Sequence, residues 1–210
     1  MLKRWSVFRA HPAVDLVVTL ATAILIAYLV QLWLVKPYQI PSESMDPSLL
    51  KGDRILVVRF LYHFKKPARG DIIVFHPNGK GDDVFPTSKS ASTTYYVKRL
   101  IGLPGDVVGS HAGKLYICSD GRFPDDPGNP EATRGCAYLN ESYTHGQQTG
   151  TCGESGADLA AQKVQTGQYL MLGDNREHSN DGRCWGQIRE SQLIGRAFAN
   201  YWPLTRITVY

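Results

Sequence analysis

The sequence predicts a mostly β fold: an antiparallel β-sheet domain with a β-rich, loop-containing insertion, preceded by one N-terminal transmembrane helix. Three observations lead there. A long uncharged apolar run stands near the N-terminus, Gly-Asp dipeptides recur just ahead of β-branched stretches, and no segment after the apolar run shows a sustained 3.6-residue period. At 210 residues the chain has room for an anchor and one domain with a real core. Residues 1–13 read as a cytoplasmic N-terminus, 14–36 as the membrane helix and 37–210 as the extracytoplasmic domain, with the insertion at about 109–168.

The run from Leu16 to Val35, "LVVTLATAILIAYLVQLWLV", has no charge. At about 1.5 Å rise per residue it matches a hydrocarbon core roughly 30 Å thick. Lys3, Arg4 and Arg9 precede it, whereas Lys36, Glu43 and Asp46 follow, so the positive-inside bias puts the N-terminus in the cytoplasm and the rest outside. Trp33 and Tyr38 suit the outer interface. A cleaved signal peptide would have a shorter apolar region and a small-x-small site after it, and the sequence has neither.

Beyond the anchor, "GDRILVVRF", "GDIIVFHP" and "GDVVGS" each read as a turn feeding a strand, and the dipeptide recurs at Gly173-Asp174. "TTYYVKRLIGL", "GQYLML" and "RITVY" add further strands. "RFLYHFKKPARGD" sets Phe60, Leu61, Tyr62 and Phe64 beside Lys65 and Lys66, which suits either an anionic membrane surface or a strand end with a solvated turn. Between Gly109 and Gln168 the composition turns to Gly, Pro, Asp, Ser and Thr, as expected of an insertion laid on the main sheet, most of it solvated loop. The sequon Asn140-Glu141-Ser142 is too short a match to carry functional weight.

The formal net charge of +4 is spread without a basic block, which argues against nucleic acid as a partner. Four cysteines without a C-x-x-C pair, and scattered histidines without H-E-x-x-H, fit an exported, oxidising setting and no metal or other cofactor. Of the three possible pairings, Cys118 with Cys136 brackets a polar loop most naturally and leaves Cys152 with Cys184.

The stretch "QIPSESMDPSLLKGD" puts three serines and two prolines directly after the anchor. No G-x-S-x-G elbow occurs. Of the histidines, His11 is on the cytoplasmic side, His76 leads into a turn, and His111 and His145 fall in the insertion, so only His63 and His178 remain open as bases. A serine hydrolase without a histidine base can use lysine, provided its pKa is lowered by burial or nearby positive charge. Lys98, in the strand-like "YYVKRLIGL", has the apolar neighbours to desolvate it. Lys65, Lys66 and Lys80 lie in polar surroundings.

The ordered blocks "PSESMDPSLLKGD", "RGDIIVF", "YYVKRLIGLPGDVV" and "GDNREHSNDGRCWG" resemble those of bacterial type I signal peptidases, across the anchor and nearly all of the domain except the insertion. The resemblance implies Ser44 as nucleophile and Lys98 as general base. Ser42 would serve the oxyanion together with the Ser44 N–H, Ser179 would orient the Lys98 amine, and Asp181 would pair with Arg183 to hold its loop. It also implies a single-pass, monomeric enzyme of the cytoplasmic membrane that cuts signal peptides from exported preproteins. Ser48 stands where threonine is common, and Cys184 where an aromatic often precedes Trp-Gly. A specialised relative acting on conjugative pilin subunits, or a catalytically silent binding domain, would carry much of the same pattern.

Overall fold

The structure, a computed structural model, describes residues 12–76, 95–119, 122–124, 135–145, 149–152 and 158–210. Lys3, Arg4, Arg9 and Lys80, and most of the loosest piece of the insertion, lie outside the described residues.

Helix α1 spans Pro12–Trp33. Proline near its start and Asp15 in its first turn suit the N-terminal end of a helix, where N–H groups lack partners and the dipole favours negative charge. Every described side chain from Pro12 to Leu29 is exposed. Thr19 and Thr22 turn their hydroxyls back onto the carbonyls of Asp15 and Val18, at 2.7 and 2.9 Å, which satisfies both groups within the helix. A helix apolar on all sides, with its described side chains from Pro12 to Leu29 left exposed, has the length and composition to cross a bilayer. It ends at Trp33, and Val35–Gln39 is already the first strand, β1. The proline in Lys36-Pro37 disfavours helix before it and is tolerated because β1 is an edge strand.

The remaining strands are β2 (Arg54–Val58), β3 (Ile72–Phe75), β4 (Tyr96–Gly102), β5 (Val107–His111), β6 (Lys114–Cys118), β7 (Cys136–Tyr138), β8 (Gln162–Lys163), β9 (Gln168–Leu172), β10 (Ile188–Arg189), β11 (Leu193–Trp202) and β12 (Thr208–Val209). The larger sheet runs β1-β2-β11-β3-β4-β9-β10, with β12 added on β11, and the smaller runs β7-β6-β5-β8. The named strand pairs are all antiparallel.

Both faces of the larger sheet are covered, which explains why "IIVF" in β3 is buried throughout rather than alternating. Ile72 and Val74 enter one cluster with Met45, Leu49, Ile55 and Val57. Ile73 and Phe75 enter another with Leu100, Tyr169 and Met171. A third cluster joins Val108, Leu115 and Ile117 of the smaller sheet to Ile101, Leu170 and Leu172 of the larger, so the insertion is laid on the main sheet.

Three of the Gly-Asp dipeptides share one device. Gly52, Gly70 and Gly105 have φ of +94°, +92° and +97°, which only glycine adopts readily. The following Asp53, Asp71 and Asp106 each accept the backbone N–H of the residue three positions earlier, at 2.9, 2.9 and 2.5 Å. Gly173-Asp174 departs from the expectation of a turn feeding a strand. It follows β9, and Gly173 is needed for close packing instead.

The longest strand, β11, lies between β2 and β3 in a stretch, "LIGRAFANYW", whose glycine, alanines and asparagine have little strand propensity. Contact explains the glycine: a Cβ on Gly195 would stand 2.3 Å from the Val58 carbonyl oxygen and 2.9 Å from Arg59 Cα. Gly195→Ala must therefore push β11 off β2. It is expected to cost about 1–3 kcal/mol, the usual penalty of overpacking, read as a lower urea midpoint with unchanged slope.

Candidate active site

The segment that follows β1 folds as successive turns, with Ser42 exposed and Ser44 buried. Met45 and Leu49 are sunk into the first core cluster, so the serine between them and the surface is held by packing on its C-terminal side. On its other side Asn175 donates to both backbones, through its N–H to the Ser44 carbonyl at 3.2 Å and through Nδ2 to the Glu43 carbonyl at 3.1 Å.

Lys98 comes from β4, opposite Ile73, with Val97 and Leu100 buried beside it. Ser44 and Lys98, 54 residues apart in sequence, meet with Nζ 2.6 Å from Oγ. The amine also donates to the Val97 carbonyl at 3.2 Å. Relative exposures of 8% for Ser44 and 3% for Lys98 leave the contact almost dry. Burial is the largest influence on the amine and lowers its pKa to about 8; Asp181 and Asp174 pull it upward, and Arg183 pushes it down. A neutral amine in contact with a hydroxyl can take its proton, which is the elementary step of activating an alcohol nucleophile. Ser42 Oγ lies 3.3 Å from Ser44 Oγ at the exposed mouth of the site.

The loop after β9 closes over this pair. Asp181 caps the short helix α2 (Gly182–Trp185) by accepting the Arg183 N–H at 3.1 Å. It also takes the Arg183 guanidinium at 2.8 and 2.9 Å and the Gly173 N–H at 2.9 Å. The expected Asp181–Arg183 pair is thus present and buried, and Arg183 Nη2 donates onward to the Arg176 carbonyl at 2.7 Å. Ser179 is buried beside the pair, but its Oγ has no hydrogen-bond partner among the described residues, so the hydrogen bond expected to orient Lys98 is not made here. Of the two histidines left open, His178 is exposed and contacts Asn175 Oδ1 at 3.3 Å, while His63 lies in the turn after β2.

Two supports escaped sequence reasoning. A Cβ on Gly173 would stand 2.1 Å from Ser179 Oγ and 2.5 Å from the Ser44 carbonyl oxygen, so the loop and the serine segment touch only because that position has no side chain. Arg99, next to Lys98, forms a two-point pair with Asp174 at 2.8 and 2.6 Å and reaches Ser48 Oγ at 3.1 Å and the Gly70 carbonyl at 2.9 Å. The "VKR" and "GDN" blocks hold both partners, but neither block reveals that they meet. Both expected disulfides are closed, Cys118 with Cys136 across β6 and β7, and Cys152 with Cys184 from the insertion to α2.

Asp174→Ala should cost about 3 kcal/mol or more, because it leaves the buried Arg99 guanidinium unpaired. Urea unfolding of the variant against the unaltered chain measures it.

The matching family model and the similar sequences agree on one family. The family model described as "Signal peptidase, peptidase S26" matches residues 13–202. Signal peptidase IB of Staphylococcus aureus (strain Mu50 / ATCC 700699) is 36% identical over 195 residues, covering 90% of this chain and 89% of that protein. Signal peptidase I of Leptolyngbya laminosa is 33% identical over 196 residues, covering 93% and 83%. A crystal structure of a signal peptidase I from Enterococcus faecalis V583 is similar at 27% identity over 63% of this chain and 97% of that one, with a TM-score of 0.34.

Proposed function

This chain belongs to the signal peptidase family, peptidase S26, and from that premise we propose that it is a membrane-tethered serine endopeptidase that removes signal peptides from exported preproteins with Ser44 as nucleophile and Lys98 as general base. The observation that carries the reading is the dry 2.6 Å contact between Lys98 Nζ and Ser44 Oγ.

In the first half-reaction the Ser44 hydroxyl gives its proton to the neutral Lys98 amine as Oγ attacks the scissile carbonyl. Ser42 Oγ–H and the Ser44 N–H receive the developing oxyanion, donors commonly worth about 3 kcal/mol each in a water-poor site. The Lys98 ammonium then returns the proton to the leaving amine, and the same lysine later activates the water that releases the acyl group. Ser179 orients the Lys98 amine in this cycle. Its buried hydroxyl, without a hydrogen-bond partner among the described residues, supports the role, since such a group gains by pairing. Asp181 and Arg183 support the site by holding the loop.

Helix α1 spans the cytoplasmic membrane with the N-terminus inside, and the domain of residues 37–210 stands on the extracytoplasmic face as a monomer. Two closed disulfides suit that oxidising side. Only β1, a five-residue strand or about 17 Å, separates the helix end from the serine segment. A substrate emerging from the same bilayer therefore presents its cleavage site within reach, lying extended with small side chains in shallow pockets. Phe64, 84% exposed in the turn after β2, and Phe60 sit beside the helix end, where the Arg59 N–H bonds the Leu34 carbonyl at 3.0 Å; this placement supports contact with lipid.

Ser44→Ala and Lys98→Ala are each expected to abolish cleavage of a preprotein in detergent without loss of the folded state, and Lys98→Arg to be equally inactive because a guanidinium stays protonated. Cleavage retained in any of them removes the assignment. The pH profile follows from the amine. With its pKa at about 8, only about a tenth of it is neutral at pH 7, so kcat/KM should rise roughly tenfold per unit below pH 8 and level off above it. A profile flat from pH 6 to 9 would exclude Lys98 as the base.

A further inference from the structure

Among the described residues of the insertion, 141–145 and 149–152 grip the catalytic loop at several points. Glu141 pairs with Arg176, Cys152 bonds Cys184, and the Gly150 carbonyl accepts from Arg183 at 3.4 Å. The Glu141–Arg176 contact is largely buried, with side-chain exposures of 8% and 0%. Both Glu141 carboxylate oxygens accept from Arg176, one of them at 2.8 Å, and Thr149 contacts the same guanidinium. Glu141 is held in turn by the Tyr143 hydroxyl at 2.7 Å, and the Tyr143 ring lies 4.0 Å from the Arg99 guanidinium.

What Arg176 does with the rest of its side chain connects this cluster to the reacting atoms. Its Nε donates to the Gly173 carbonyl at 2.9 Å. Gly173 is the residue whose missing side chain lets Ser179 and the Ser44 carbonyl pack together. A guanidinium aimed at a backbone carbonyl fixes that carbonyl only as well as the guanidinium is itself fixed, and the two-point carboxylate of Glu141 supplies that restraint.

We infer that Glu141 is a positioning residue for the reaction: acting through Arg176, it sets the place of Gly173 and so the approach of Ser179 and Ser44 to Lys98, which makes the insertion part of the catalytic apparatus. The inference rests on the assignment of Ser44 and Lys98, which Ser44→Ala examines separately. It departs from the reading of this region as solvated loop.

The full chain in detergent, cleaving a fluorogenic peptide that spans an Ala-x-Ala site, distinguishes positioning from mere support. Misplacement of reacting groups by an ångström costs on the order of a hundredfold in rate. Glu141→Gln should lower kcat about tenfold to a hundredfold with KM within about twofold, slow the labelling of Ser44 by a serine-reactive acylating probe to the same degree, and be partly rescued in Glu141→Asp. Asp158→Asn, elsewhere in the insertion where Asp158 accepts the Ala112 and Gly113 N–H groups at 3.0 and 3.1 Å, should leave kcat unchanged per folded molecule. An unchanged kcat in Glu141→Gln, a fall no larger than its loss of folded protein, or an equal fall in Asp158→Asn overturns the inference. Should Glu141→Gln not accumulate folded, Tyr143→Phe removes only the hydroxyl that holds the carboxylate. A smaller kcat-selective fall then supports the inference, and an unchanged kcat overturns it. Activity surviving in Ser44→Ala would instead remove the underlying assignment.

Discussion

A single amine kept out of water is the constraint on which the rest of this structure depends. The proposed role of Lys98 as base requires that it lose its proton easily, and burial is the largest influence lowering its pKa. Burying a lysine is costly, so the architecture around it has to be strong. Two apolar clusters on opposite faces of the larger sheet, sharing β3, and a third between the sheets provide that strength.

Desolvation alone would be undone by stray carboxylates, because Asp174 and Asp181 both draw the amine toward its charged form. Each carboxylate is already committed to an arginine, Asp174 to Arg99 and Asp181 to Arg183. A paired carboxylate presents a dipole rather than a net charge, so its pull on Lys98 falls off faster with distance. The same pairs do mechanical work. Arg99 ties the serine segment to β4 through Ser48, and Arg183 ties the loop to its own helix cap. Charge cancellation and loop positioning are therefore one arrangement.

The anchor and the insertion complete the arrangement from opposite ends. Helix α1 runs almost directly into β1, so the separation of the apolar helix from the Ser44 segment is set by one short strand rather than by a linker. The insertion shares an apolar cluster with the main sheet and adds a disulfide and buried polar contacts onto the loop facing Lys98. A segment of loop-like composition thus has its order imposed from outside, by partners on the main domain.

Much was legible in the sequence because it is local. The apolar run of α1, the strands after Gly52, Gly70 and Gly105, and the motifs containing Ser44 and Lys98 each express a short-range property such as hydropathy, a positive-φ turn or β-branching. What lay beyond reach depends on neighbours distant in the chain. Strand β11 is central although its residues have weak propensity, because tertiary burial outweighs it. Gly173 and Arg99 matter through surfaces supplied by Ser44, Ser179 and Asp174. Glu141 sits in a stretch whose composition says loop, and its contact with Arg176, 35 residues on, is not legible there. The sequence by itself determined the family to which this chain belongs and where the strands after its glycine turns begin. Only the tertiary structure decided how dry the lysine is and which residues hold it there, because desolvation and contact are properties of packed surroundings that no single segment contains.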